Sequence, residues 1–275
     1  MEHPSTWVKA HQAFERARRR AKIQSIVAAI TGRKNKLIPY DIVRRRVKAY
    51  NLCQQYVDEI PIDAIIGSVG RYNDFNEEFL PLSDNAENRW VRLKMVQENE
   101  GLPPIDVYKL SDVYFVLDGH HRVSIAKEMG AETIEANVSV LNSKIEIDRK
   151  DDLKEVIIKA ERAEFLEQTK LDSMYPDLDF SVSIPGKYPV LYEHIRVHQY
   201  YLGLELKRDI GFSEAVRSWV ENVYSPVIHD IRSVKVLIDF PGRTEADLYL
   251  WLKENASSLS PSIGCSGWIY RFFSK

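Results

Sequence analysis

The stretch Ser111–Gly130, SDVYFVLDGHHRVSIAKEMG, leaves few folds open to this chain. Val113, Tyr114, Phe115, Val116 and Leu117 form a short apolar run of β-branched, aromatic and aliphatic residues, which reads as a strand. Asp118-Gly119 ends it, because glycine has no Cβ and aspartate tolerates turn geometry. Val123, Ala126 and Met129 then recur at helical spacing, and Gly130 supplies a C-terminal stop. The strand-to-helix turn therefore carries His120, His121 and Arg122. A helix N-terminus has unpaired N–H groups and a partial positive charge, so it attracts anions. Arg122 adds a planar, permanently charged fork suited to phosphate. The two imidazoles titrate near neutral pH, and Asp118 is the one acid of the turn, able to hold a metal or accept a proton.

A second loop has similar potential. Ile60–Ile66 reads as a strand, and Gly67-Ser68-Val69-Gly70-Arg71-Tyr72-Asn73-Asp74-Phe75 follows it. Its glycines, serine and arginine can offer backbone N–H groups and a guanidinium to a phosphate. The spacing is neither a Walker loop, since Gly-Lys-Ser/Thr is missing, nor a Rossmann fingerprint. Asp74, Glu77 and Glu78 are nearby acids, any of which could act as a base or simply face solvent. Between the loops, Asn88–Val96 reads as a helix with Trp90 and Leu93 turned inward. Ile105–Leu110 alternates as a strand that pairs through a tight turn with Val113–Leu117, and Ile134–Val138 is a further strand.

The run through Gly119, Arg122 and Ala126 resembles the Gly-Glu-Arg-Arg-x-x-x-Ala box of ParB proteins, with His120 and His121 replacing the acid and the first arginine. It also resembles the Gly-Cys-His-Arg of sulfiredoxins at Gly119, His121 and Arg122. There His120 stands in place of the nucleophilic cysteine, so sulfiredoxin chemistry is not expected. The Asp-Gly-His-His-Arg form is most similar to the phosphotransfer branch of this superfamily, which includes free-serine kinases that use a nucleotide. The resemblance spans about Ile60 to Leu141 and implies an α+β fold in which Arg71 and Arg122 share one ligand. It implies a nucleoside triphosphate or diphosphate (CTP or ATP/ADP), with Mg²⁺ as its companion. On that basis Asp118, His120 and His121 are catalytic candidates, and Gly119, Arg122, Ser124, Gly70, Arg71 and Ser68 are the nucleotide- and phosphate-binding candidates.

The charge of the chain is uneven. Residues 1–50 hold 13 Lys/Arg against 3 Asp/Glu, whereas residues 51–150 hold 10 against 18. Within the front segment, a helix capped by Thr6 runs from Trp7 through Ile30 to Gly32. A second helix covers Tyr40–Tyr50. Arg18, Arg19 and Arg20 on the first and Arg44, Arg45 and Arg46 on the second are candidate nucleic-acid contacts. A solvated helix face explains the same charges, and no helix-turn-helix pattern accompanies them. Cys53 and Cys265 are too few for a disulfide framework, no signal peptide is visible, and the longest apolar run, Ile23–Ile30, is too short to span a bilayer. A cytoplasmic protein without a membrane partner is expected, and a homodimer is compatible with the reading.

Residues 151–275 read as mainly helical. A helix runs from Leu153 to about Leu171. Asp172–Pro189 is loop-like with a short strand at Phe180–Ile184. His194 and His198 share a helix face, but with no third ligand at suitable spacing a hydrogen-bonded role is expected rather than a metal. Ser213 caps the next helix, Pro226 opens another, and Thr244 with Asp247 forms a capping-box start behind Arg243, which could also hold an anion. The tail, Ser257–Lys275, ends in an aromatic cluster of Trp268, Tyr270, Phe272 and Phe273. This part resembles uncharacterised bacterial segments joined to ParB-like domains and brings no assigned chemistry.

The expected plan is thus α+β. It has a basic helical extension (1–58), a ParB/sulfiredoxin-like domain (59–145) and a mainly α-helical C-terminal domain (146–275). The expected function is a nucleotide-responsive, phosphate-binding regulator associated with nucleic acid. Alternatives are an ATP- or ADP-dependent phosphotransferase acting on a small hydroxylated metabolite, and a non-catalytic scaffold. If the protein is an enzyme, NTPase or small-molecule kinase chemistry is expected.

Overall fold

The computed structural model describes residues 4–31, 35–100 and 102–255. It contains two compact units, divided between Val156 and Ile157. The first is built on a six-stranded mixed sheet in the order β1-β3-β5-β4-β6-β2. These strands are β1 (Ile38–Pro39), β2 (Leu52–Pro61), β3 (Ile65–Ser68), β4 (Ile105–Leu110), β5 (Val113–Asp118) and β6 (Thr133–Leu141). The tight turn joins β4 and β5 antiparallel, with Leu110 opposite Val113. β3 lies parallel to β5, pairing Ser68 with Val116, and this brings the C-terminal ends of both strands to the same end of the sheet. β6 runs parallel to β4 and antiparallel to β2. Ile65, Ile105, Val107, Val116 and Val138 form the sheet's buried apolar layer with Phe75, Phe79 and Val123.

Helices α1 (Pro4–Thr31), α2 (Tyr40–Arg46), α3 (Glu87–Glu100) and α4 (His120–Glu128) complete this unit. α1 packs on α3, and α3 packs on α4. Ala10, Ala13 and Phe14 of α1 meet Trp90, Val91 and Met95 of α3 and Ile125 of α4. Small residues on α1 let the helices approach closely, and Trp90 fills the space between them with no exposed surface, as the helix pattern predicts. The basic extension therefore belongs to the same compact unit as the sheet, and the boundary expected at residue 58 falls inside β2.

Several local expectations change. Ile60–Ile66 is not one strand: β2 ends at Pro61, a single 3₁₀ turn covers Ile62–Ala64, and β3 begins at Ile65. Proline has no N–H to continue the ladder, so the chain turns there. α1 starts at Pro4, which places Thr6 inside it, and its expected stop at Gly32 lies outside the described residues. α2 ends at Arg46, where Val47 closes it and Lys48 takes a left-handed backbone, φ 53°.

The second unit is helical: most of α5 (Leu153–Thr169), α6 (Leu171–Met174), α7 (Lys187–Leu206), α8 (Phe212–Trp219), α9 (Ser225–Ser233) and α10 (Glu245–Asn255). Its core gathers Phe165, Tyr188, Leu191, Ile195, Trp219, Tyr224 and Tyr249. Phe180–Ile184 is not a strand. Side chains capture its backbone instead, with Ser181 N bonded to Asp179 (2.8 Å) and Ser183 N to Asp247 (3.1 Å). Gly211, not Ser213, occupies the cap position of α8. The box at Thr244 and Asp247 forms as expected, each backbone N–H bonding the other residue's side chain at 3.1 Å. The aromatic cluster at 268–273 and Cys265 lie outside the described residues. No described helix is long and apolar enough to cross a membrane.

Candidate functional site

β5 delivers Asp118 and Gly119 to the start of α4. Gly119 is the cap residue of that helix, with φ 104°. A Cβ there would lie 2.4 Å from Ile105 Cγ2, so both conformation and space require glycine. From this turn His120 and His121 begin the helix, both nearly enclosed. A pocket of about 210 Å³ opens over them. Arg71, Arg89, Leu93, Pro103, Asp118, Gly119, His120, His121 and Arg122 line it.

The pocket is cationic with one carboxylate. Arg71 reaches Asp74 only at 3.8 Å, a loose and exposed pair. Among the described residues no carboxylate pairs with Arg89. Asp118 accepts a hydrogen bond from Arg122 Nη2. His120 Nε2 lies 2.6 Å from Ser68 Oγ, and that oxygen also accepts the Arg71 N–H at 3.3 Å. His121 packs edge-on against Phe75, and its Nδ1 is buried without a hydrogen-bond partner. Burial pushes both imidazoles down to about 4, helped by Arg71 at His120 and by Arg89 at His121. Both rings are therefore neutral at pH 7, and the positive charge of the site comes from arginine and the helix N-terminus. Such a site can take an anion, and a neutral imidazole in it can accept a proton.

Residues 46–148 match the model of the ParB N-terminal domain. This central domain is ParB-like. The crystal structure of sulfiredoxin from Arabidopsis thaliana is similar at a TM-score of 0.24 and 23% identity, covering 30% of this chain and 83% of that one. No curated protein matches the sequence.

The ParB-like domain gathers some of the expected site residues and disperses others. Asp118, Gly119, His120, His121, Arg122 and Arg71 share the pocket, and Ser68 stands directly behind His120. Gly70 supplies a left-handed turn, φ 75°, just ahead of Arg71. Ser124 is elsewhere: it is 1% exposed and accepts the Trp90 indole N–H at 3.0 Å. Glu78 pairs with Arg20 at 3.5 Å. Arg89 is the lining residue that the sequence pattern leaves unmarked. Its one signal is its place on α3, four residues before Leu93, so that both share a helix face.

The six candidate nucleic-acid arginines are unequal. Arg18 is buried, with Nε 2.7 Å from Asp84 and Nη1 3.1 Å from the Pro81 carbonyl. Arg20 also pairs with Glu128 at 3.5 Å. Arg44 lies over the Tyr50 ring, and Arg45 donates to the Asp41 carbonyl at 3.1 Å. Arg19, Arg45 and Arg46 are exposed.

In the second unit, His194 Nδ1 lies 3.2 Å from the Tyr249 hydroxyl and His198 Nε2 lies 2.9 Å from Ser218 Oγ. Arg243 donates to Ser183 Oγ at 3.3 Å. No group of three or more metal-ligating side chains occurs among the described residues.

Proposed function

We propose that the ParB-like domain binds the phosphates of a nucleotide and that the protein is a regulator responding to that nucleotide. One observation carries this reading. The N-terminus of α4 opens into a pocket where Arg89 has no carboxylate partner among the described residues, Arg71 has only a loose, exposed one in Asp74, and the single lining carboxylate already serves Arg122. A volume of about 210 Å³ is below the ~300–1,000 Å³ of complete small-molecule sites. It suits the phosphate end of CTP, ATP or ADP, with the nucleoside extending outside.

Mg²⁺ fits as a companion of the phosphates. It keeps waters and needs only one or two carboxylates, and Asp118 is the exposed carboxylate at the rim. When bound it would offset phosphate charge. Thermal shift with ATP, ADP, CTP and GTP plus Mg²⁺ tests the reading. A stabilisation by one of them that Arg71→Ala and Arg89→Ala each remove is expected. No shift with any nucleotide refutes it.

The nucleic-acid part of the proposal rests on Arg19 and Arg45, exposed on the two front helices; Arg18 is buried against Asp84, and Arg20, though exposed, pairs with Glu78 and Glu128. Salt-dependent binding to random duplex DNA that weakens in an Arg19→Ala/Arg45→Ala variant is expected. Salt-independent binding, or none, removes this part.

A second reading, phosphoryl transfer to a small hydroxylated metabolite, is favoured by the neutral histidines. His121 lines the pocket as a neutral imidazole and could take the acceptor's hydroxyl proton while the arginines hold the transferred group. ATP or ADP turnover with amino acids or sugars, abolished in His121→Gln, is the outcome that selects it.

A further inference from the structure

We infer that Arg122 is a positioning residue, a latch that fixes the pocket wall, and that the anion is taken by Arg71 and Arg89. The second half rests on the phosphate-binding reading above; the latch does not. Arg122 is the arginine that sequence alone marks for the ligand, yet its side chain is 12% exposed and turned to the protein. Nη1 donates to the carbonyls of Pro103, at 2.8 Å, and Pro104. Nη2 donates to Asp118. Three N–H groups of the fork are thus committed to acceptors on two separate segments.

The latch has a local cause. Pro103 and Pro104 precede β4 and lie outside its ladder, and their carbonyls take a donor from the Arg122 side chain instead. A guanidinium can bridge two adjacent carbonyls and a carboxylate at once, whereas an ammonium is a single point charge. Pro103 is also a wall of the pocket. Gly119 seats the turn against Ile105, the first residue of β4, with Arg122 Nε 3.0 Å from where a Cβ would stand. The entry to β4 and the start of α4 are therefore joined through Arg122 on one side of the pocket. Arg71 and Arg89 face the same space without comparable partners.

The experiment uses the full chain and two readouts. One is hydrogen exchange of the peptide 102–110 in the free protein. The other is affinity for ATP, CTP and inorganic pyrophosphate. Arg122→Lys keeps the charge and breaks the bridge. It is expected to speed exchange in 102–110 by about tenfold and to weaken the probes by a similar factor. Arg71→Ala and Arg89→Ala are expected to weaken the probes by about tenfold or more while exchange stays at the wild-type rate. Asp118→Asn loosens one of the three contacts and serves if Arg122→Lys does not fold; faster exchange is expected there too.

An Arg122→Lys protein with wild-type exchange overturns the latch, whatever its affinity. Wild-type affinity in both Arg71→Ala and Arg89→Ala, with loss only at Arg122, overturns the assignment of the ligand cations. A wild-type protein that binds none of the probes refutes the phosphate reading, and the exchange comparison still decides the latch.

Discussion

Each unit of this protein holds a pair of histidines drawn from solvent, nearly enclosed in the ParB-like unit and half-buried in the helical one, and the two pairs are finished differently. In the helical unit both rings end on hydroxyls, His194 on Tyr249 and His198 on Ser218, four residues apart on one face of α7. In the ParB-like unit His120 ends on Ser68, but His121 leaves Nδ1 without a partner and stands in a pocket with Arg71 and Arg89. Burial lowers the proton affinity of all four. The same residue type, desolvated in both units though less in the helical one, ends on hydroxyls in one and lines an open cationic pocket in the other. Burial alone does not set the two pairs apart; the unsatisfied atom and the neighbouring arginines do.

Removing a large core side chain from each unit is the strongest way to test that contrast. Trp90→Ala and Trp219→Ala should each cost about 3–5 kcal/mol, because both indoles are enclosed. Calorimetry with a nucleotide titration should show that only Trp90→Ala also abolishes binding. Loss of binding in Trp219→Ala would break the separation of roles. Gly119→Ala comes next: left-handed backbone and the collision with Ile105 should cost about 1–3 kcal/mol. Denaturant unfolding would check the cost, and retained binding in the variant would contradict the tight turn.

Acid titration compares the pairs themselves. His120 and His121 protonate near 4 folded and near 6.5 unfolded, so the unfolded chain binds more protons between those values. Their contribution to stability is complete above about pH 6.5 and is lost as pH falls towards 4, at up to about 1.4 kcal/mol per pH unit for each. Denaturation at pH 7 and pH 5 should show the loss, and a His120→Gln/His121→Gln variant should show less of it. His194 and His198 act in the same direction, so some loss should remain. At the small end, Cys53→Ser, on an exposed stretch of the edge strand β2, should change stability by less than about 0.5 kcal/mol in the same assay.

Legibility in the sequence followed the range of the interactions. β4, β5 and α4 were readable because alternation, Asp-Gly and helical spacing all act within a few residues. The Thr244–Asp247 box was readable for the same reason. β2 was hidden because Leu52–Asp58 carries no clean alternation: it lies at the sheet edge with most side chains exposed. Arg89 was hidden because a lone charge on a helix looks solvated until its neighbours are placed.

By itself the sequence determined the strand–turn–helix, the glycine at its corner, and the presence of two histidines and an arginine at a helix N-terminus. Only the tertiary structure decided what each of them faces. It set Ser68 behind His120, brought Arg71 and Arg89 to one pocket, sent Arg18 inward to Asp84 and turned Arg122 toward two proline carbonyls. Backbone conformation is set by neighbours along the chain. The partner of a charged side chain is set by which distant segments the core brings within hydrogen-bond reach, and no local pattern encodes that.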